Sequence, residues 1–240
     1  VVETSSTTFA WNDGGTETVR RPATHSFSSH EVRDILIAWI ALGIAFTLAN
    51  TGGLINGFSG QVSVLDGSTV VTFTIIQVFG LSLATVGAGF VLHELMHKFV
   101  SERYGFQAAF RMWPQGLMLA LVLSAFTGFV FAAPGATYIE GYGIKTKENG
   151  IISLAGPLTN IVIALLFAPL LFFNGGVPIL FEAGFLGSYI NIFLAAFNML
   201  PLMPLDGAKV WRWNKLLWLA VFGPLALLLI SYFLGYLTVI

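Results

Sequence analysis

The chain contains no cysteine. Disulfides, thiolate metal sites and thiol nucleophiles are thereby excluded. Charge is almost as scarce: Asp, Glu, Lys and Arg make up 10% of the 240 residues, against about 25% in a soluble domain. The 11 Lys and Arg never gather into a run of five and the formal net charge is -1, which argues against nucleic acid as a partner. No charged n-region with a short apolar stretch and small-residue cleavage site opens the chain, so a fragment or processed chain without a visible signal peptide is expected. Internal repeats are also missing.

What is present is apolar. Hydrophobic residues make up 56% of the chain and the mean hydropathy is +0.82, a composition that calls for a bilayer. Eight of the 23 charges precede Ile35, and Val1 to Asp34 carries 11 Ser or Thr in its first 30 residues without apolar periodicity. Residues 1–34 therefore read as a polar, mobile amino-terminal tail, and 35–240 as one transmembrane domain. Uncharged runs long enough to cross about 30 Å of hydrocarbon occupy Ile35 to Leu54, Val70 to Leu92, Gly150 to Phe173, Ala183 to Leu200 and Leu216 to Ile240. A sixth stretch, Met112 to Ile139, is uncharged but punctuated by Pro114, Gly116, Gly128, Pro134 and Gly135. The expectation is an all-α polytopic membrane protein of five to six transmembrane helices.

Gly52 to Thr69 and Asn174 to Glu182 contain no Lys or Arg, which places both outside under the positive-inside rule. If Met112 to Ile139 enters and leaves on one side, all 11 basic residues become cytoplasmic. A re-entrant hairpin or short strands are therefore expected there, an arrangement tolerated at membrane depth only when packed on protein or lining a cavity.

At the end of the second apolar run stands His93-Glu94-Leu95-Met96-His97, the H-E-x-x-H pattern. Histidines four apart lie one turn above each other on a helix, so two imidazoles can meet one Zn²⁺ while Glu94 reaches toward its open position. The blander alternative is a set of interfacial residues snorkelling with Lys98 toward headgroups. Catalytic zinc sites commonly take a third protein ligand. Among the later acids, Glu102, Glu140, Glu148, Glu182 and Asp206, the last stands out because it follows two helix-stopping prolines in Asn198-Met199-Leu200-Pro201-Leu202-Met203-Pro204-Leu205-Asp206-Gly207. As a helix N-cap it would need no metal, so both readings stand.

Taken together, H-E-x-x-H, Ala155-Gly156-Pro157-Leu158-Thr159-Asn160 and N-x-x-P-x-x-P-L-D-G resemble, in order, the motifs of the site-2 protease family of intramembrane zinc metalloproteases. The resemblance spans Val70 to about Trp213. It implies His93, His97 and Asp206 as zinc ligands, Glu94 as general base, Asn198 at the substrate or oxyanion cleft, and Asn160 behind the ligands. It also implies short strands after the histidine helix that guide a membrane-protein substrate, with the active site toward the cytoplasm. The interval Leu117 to Phe131 is unusually apolar for such strands, which leaves room for an extra helix. Asn174 to Glu182 is too short to hold a PDZ-like module.

Rival readings are a transporter or ion channel using His93, Glu94, His97 and Asp206 as a cation path, and a prenyl-protein-type membrane metalloprotease, whose third ligand is a glutamate. Against the first stands the lack of paired interrupted helices in matching halves; against the second, the L-D-G aspartate. His25 and His30 read as surface histidines and Glu140 as a loop carboxylate. Asn160 and Asn198 could simply bond neighbouring helices, and Gly80, Gly87 and Gly89 could permit close helix packing.

Overall fold

The computed structural model describes residues 26–54, 61–66, 69–128, 130, 134–140 and 143–234. Most of the proposed tail, with His25, lies outside them. The first helix, α1 (Ser29–Asn50), begins inside the segment read as tail, because Ser28 accepts a hydrogen bond from the Glu31 amide at 3.1 Å and caps the first turn. A hairpin of β1 (Gln61–Asp66) and β2 (Thr69–Thr74) follows, paired antiparallel with Gln61 opposite Thr74. Thr74 and Gln77 then form a reciprocal capping box that starts α2 (Ile75–Ser82). A π-turn, Leu83–Gly87, runs on without a break into α3 (Ala88–Arg103), so that Ile75–Arg103 is one helix of 29 residues.

Beyond it the chain forms β3 (Gln107–Met112), α4 (Pro114–Thr127) and β4 (Gly135–Glu140). The strands pair antiparallel, Gln107 opposite Glu140 and Met112 opposite Gly135. Both ends of the segment thus return to one place. The enclosed α4 has 14 residues, a length of about 21 Å that falls short of the hydrocarbon core. Short strands and an extra helix are both there, the helix between the strands. Glu140 ends β4 as an exposed strand residue instead of sitting in a loop.

The carboxy-terminal part consists of α5 (Thr146–Phe167) with a 3₁₀ turn at Ala168–Leu171, α6 (Pro178–Asn198), α7 (Asp206–Trp213) and α8 (Lys215–Phe233). Helix α5 is central, packed on α3, α6 and α7. Leu154, Ala195, Met199, Val210 and Trp218 close the core between α5, α6, α7 and α8, and Trp218 donates its indole N–H to the Met199 carbonyl at 2.8 Å.

Four helices are long and apolar enough to cross a membrane: Ser29–Asn50, Ile75–Arg103, Thr146–Leu171 and Pro178–Asn198. The protein is mostly helical and fits a membrane protein, with four such helices among the described residues instead of five to six. The fifth expected crossing corresponds to α8, which has Pro224 in its interior and belongs with α4 to the shorter apolar helices. Residues 235–240 of that run lie outside the described set.

Lys98 does not snorkel. It is buried, with its ammonium 2.8 Å from Glu31 Oε2, 3.4 Å from Glu102 Oε1 and 2.9 Å from the Ala108 carbonyl, while Glu31 Oε1 accepts the Phe110 amide at 3.0 Å. This cluster ties α1 and α3 to the outer edge of β3. Removing one partner of a buried pair strands the other charge, at a cost of about 3–5 kcal/mol, whereas an exposed pair is worth about 0–1 kcal/mol. Lys98→Met is accordingly expected to lower the melting temperature in detergent far more than Arg33→Met, whose ion pair with Asp34 is solvent-facing on the arginine side. Equal shifts would contradict a structural role for the cluster.

Candidate metal centre

His93 and His97 fall one turn apart on α3 and both are buried. Their Nε2 atoms stand 3.0 Å from each other, and Asp206 Oδ2 lies 3.3 Å from His93 Nε2 and 3.1 Å from His97 Nε2. Three donors held at about 2.0–2.1 Å from one tetrahedral ion would be roughly 3.3 Å apart. The spacing fits a common ion.

The protonation pattern points the same way. His93 Nδ1 lies 2.6 Å from Asn160 Oδ1, and Asn160 Nδ2 donates to the Gly89 carbonyl at 3.2 Å and to Asn191 Oδ1 at 2.8 Å. With the Asn160 amide committed to two acceptors, its oxygen must receive the His93 Nδ1 proton. His97 Nδ1 donates to the Ile152 carbonyl at 2.8 Å. In the neutral rings both Nε2 lone pairs then face one another and a carboxylate, an arrangement that repels itself unless a cation sits between.

Asp206 is not the cap of α7. Leu205 occupies that position, no side chain caps the helix, and Asp206 is its first residue, turned toward the histidines, with Oδ1 3.5 Å from the Lys209 ammonium. The glycine of the A-G-P sequence has an equally direct reason. A Cβ on Gly156 would lie 2.5 Å from both His93 Nε2 and His97 Nε2, so only glycine leaves room for the three donors and an ion among them. Pro157 lacks the N–H that would bond the Ser153 carbonyl four residues earlier, which loosens α5 next to the Ile152 carbonyl that His97 bonds.

Glu94, half-buried, turns away from the ligand row toward β4. Its Oε2 accepts the Thr137 amide at 2.8 Å and lies 2.9 Å from the Thr137 hydroxyl, which is also 3.0 Å from the Glu94 carbonyl. His93, Glu94 and His97 form a group that could bind a metal, their ligand atoms within 4.8 Å of one another, and Asp206 Oδ2 stands 3.1–3.3 Å from the same two imidazoles. A cavity of about 350 Å³ opens beside these groups, lined also by Phe90, Thr137, Asn198, Pro204 and Lys209. Asn198 faces it from the end of α6, with its Nδ2 bonded to the Leu194 carbonyl at 3.0 Å. His30 is exposed, and Glu140 does not line the cavity, although its neighbour Ile139 does.

Asn191 escaped the sequence reading, since it sits in an uncharged run that looks like ordinary bilayer-crossing helix. The only signal was its place seven residues before Asn198, two turns up the same face. It is fully buried, accepts from Asn160, and donates to the Gly187 carbonyl at 2.8 Å and the Thr85 carbonyl at 3.4 Å. The π-turn widens the helix where Thr85 receives this bond and where Leu83 receives Trp39 Nε1 at 3.0 Å. Gly89 and Gly87 lie under Asn191 and Trp39, whereas among the described residues nothing stands within 4 Å of a Cβ on Gly80. Asn191→Leu is expected to weaken metal binding about 10- to 100-fold by freeing the Asn160 amide to turn. Chelator competition measures this, and an unchanged dissociation constant would reduce Asn191 to helix packing.

No family model matches the chain. No solved structure matches it either. It is similar to the candidate zinc metalloprotease MJ0611 of Methanocaldococcus jannaschii, 40% identical over 199 residues that cover 83% of this chain and 92% of that protein. The candidate zinc metalloprotease YwhC of Bacillus subtilis is 30% identical over 146 residues, 52% of this chain and 65% of its own length. Rip2 of Mycolicibacterium smegmatis, named in the same way, is 26% identical over 165 residues, 62% of each chain. Identity of that level over nearly all of the Methanocaldococcus protein, together with apolar helices around an H-E-x-x-H group, means that the chain belongs to the same family of membrane zinc metalloprotease relatives as MJ0611.

Proposed function

We propose that the protein is an intramembrane zinc endopeptidase of the site-2 protease type, spanning the bilayer several times and cutting a membrane-protein substrate within or beside its transmembrane segment, as in regulated intramembrane proteolysis. The observation that carries this reading is the convergence of two imidazole lone pairs and one carboxylate at 3.0–3.3 Å, beside a glutamate and an apolar cavity. A cation channel would be expected to continue its polar groups along a path. Here the donors close on one point.

His93, His97 and Asp206 would hold the zinc, and Asn160 fixes the His93 ring. When bound there, zinc supplies Lewis acidity that acidifies water and polarises a carbonyl. Glu94 takes up the proton of the attacking water and delivers it to the leaving amine. Asn198 faces the cavity where a substrate carbonyl would lie and steadies it. The distribution of Lys and Arg puts this end of the helices toward the cytoplasm.

The β3–β4 ribbon supplies the docking edge. Phe110 and Thr137 are directly opposite, yet the Phe110 amide goes to Glu31 and the Thr137 amide to Glu94. That pair is therefore a non-hydrogen-bonded one, and the alternation directs the main-chain groups of Gly135, Thr137 and Ile139 away from β3. The outer edge of β3 is closed by Glu31 and Lys98, while the outer edge of β4 lines the cavity. An extended substrate adds to β4 as a further strand.

A helix hides its carbonyls, so a transmembrane substrate must unwind locally before it can lie along an edge. Gly in place of Ala lowers that cost by about 1 kcal/mol and Pro by about 3 kcal/mol. Substrates with Gly, Pro or Asn near the scissile bond are expected to be cleaved at least several-fold faster than a poly-Leu replacement of equal length in the same detergent, in a reaction that chelator abolishes and zinc restores. Equal rates would argue for cleavage of loops or soluble tails instead, and zinc-independent cleavage would argue against the proposal itself.

A further inference from the structure

We propose that the Thr137 amide is a shared donor for which Glu94 and an incoming substrate strand compete, so that docking on β4 releases the Glu94 carboxylate. The inference rests on the strand-docking reading above and adds to it the means by which docking sets the proton acceptor. Thr137 is then a positioning residue.

The amide has one proton, and in the structure it goes to Glu94 Oε2 at 2.8 Å. The hydroxyl of the same residue reinforces the contact from 2.9 Å. Thr137 lies at the middle outward-facing position of β4, between Gly135 and Ile139, so a strand added there in antiparallel or parallel register needs that N–H for one of its carbonyls. The carbonyl and the carboxylate cannot both have it. Three features make the competition local. Glu94 reaches β4 only at Thr137, since both of its side-chain contacts to the strand are to this residue. The matching amide on the other edge, Phe110, is committed to Glu31, which Lys98 holds in place, so the ribbon has no second cavity-facing edge to offer. While still bonded to Thr137 the carboxylate already lies within 4.8 Å of the imidazole nitrogens, so its release from β4 happens beside the place where a scissile carbonyl would lie.

The consequence is an ordering. Before docking, Glu94 is held at β4 by two donors from one strand residue. After docking, the substrate's own backbone has taken one of those donors. Part of the strand's binding energy is spent on displacing Glu94, so the wild-type protein binds an extended peptide less tightly than a form in which Glu94 cannot reach β4.

The test uses the full, metal-loaded chain in detergent and a fluorescein-labelled Leu/Val/Gly peptide whose central peptide bond is replaced by a hydroxyethylene group, with dissociation constants read by fluorescence anisotropy. Glu94→Ala is expected to bind this probe about 3- to 10-fold more tightly than wild type, the worth of about one hydrogen bond. Thr137→Val, which keeps the amide and loses the hydroxyl, should tighten binding by a smaller factor, and Thr137→Ser should restore the wild-type value. In the Glu94→Ala background Thr137→Val should change nothing. Thr137→Pro removes the shared amide from an outward-facing edge position, where proline is tolerated, and should weaken binding in every background. Equal affinity of wild type and Glu94→Ala, with Thr137→Pro still weakening both, would overturn the competition and leave strand docking intact. Binding indifferent to Thr137→Pro would overturn both.

Discussion

Glu94→Gln is expected to retain a full complement of metal and to lose peptidase activity by about 10²- to 10⁴-fold, the usual contribution of a positioned acid–base group. Glutamine keeps the length of the side chain and can still accept from Thr137 through its amide oxygen, so the contact to β4 survives in part. What disappears is the ability to take a proton. His93→Ala, His97→Ala and Asp206→Ala differ in kind, because each removes a donor that stands 3.0–3.3 Å from its fellows, and each should lose metal together with activity. Metal content and turnover measured on the same preparations separate the two classes. Near-wild-type turnover by Glu94→Gln would remove it from the proton-transfer role, and stoichiometric metal in Asp206→Ala would leave the two histidines to find another partner.

The convergence of His93, His97 and Asp206 was open to sequence reasoning because each belongs to a short pattern whose spacing has a geometric cause. Two histidines four residues apart must share a helix face, and an aspartate just after two prolines must lie where a helix restarts. The groups that orient these ligands were less visible. Asn191 acts through Asn160, 31 residues away, and through a π-turn carbonyl 106 residues away, and no local pattern encodes such distances. Thr137 is an ordinary strand residue until the pairing with β3 shows which way its amide points. The buried contact between Glu31 and Lys98 was hidden for the same reason. They are 67 residues apart, and each alone looks like a charge at the end of an apolar run.

Counting crossings failed in an instructive way. An uncharged run measures the absence of charge, whereas a crossing needs that run to be one helix of sufficient length. Met112 to Ile139 has 28 uncharged residues, but Pro114, Gly128 and Gly135 cut it into strand, short helix and strand, with Gly128 ending α4 in the left-handed conformation. The distribution of Lys and Arg led to the expectation that its two ends lie on one side, and in the structure the two ends pair in one antiparallel ribbon. For α8 the uncharged run reaches Ile240, while the described helix ends at Phe233 and carries a proline within.

Gly156→Ala offers the sharpest separation between folding and metal binding. The glycine is in the interior of α5, where alanine is the better helix former by about 1 kcal/mol, so helix propensity alone predicts a more stable protein. The added methyl, however, would sit 2.5 Å from the Nε2 atoms of both His93 and His97, well inside any tolerable contact. The surrounding groups have little freedom to yield. His93 is held through Nδ1 by Asn160, His97 through Nδ1 by the Ile152 carbonyl, and α5 is packed on three helices at once. The methyl must therefore push the imidazoles apart or take the space in which an ion would sit. The expected outcome is a chain that keeps its helical circular dichroism but binds zinc at least about 100-fold more weakly, beyond the 10- to 100-fold typical of changes behind the ligands. Peptidase activity should fall in step with occupancy, and excess zinc should recover only part of it because the remaining ligands no longer meet at one point. Wild-type zinc affinity in Gly156→Ala would show that α5 can withdraw from α3 without cost, and the close approach of the two helices would then owe nothing to the metal centre.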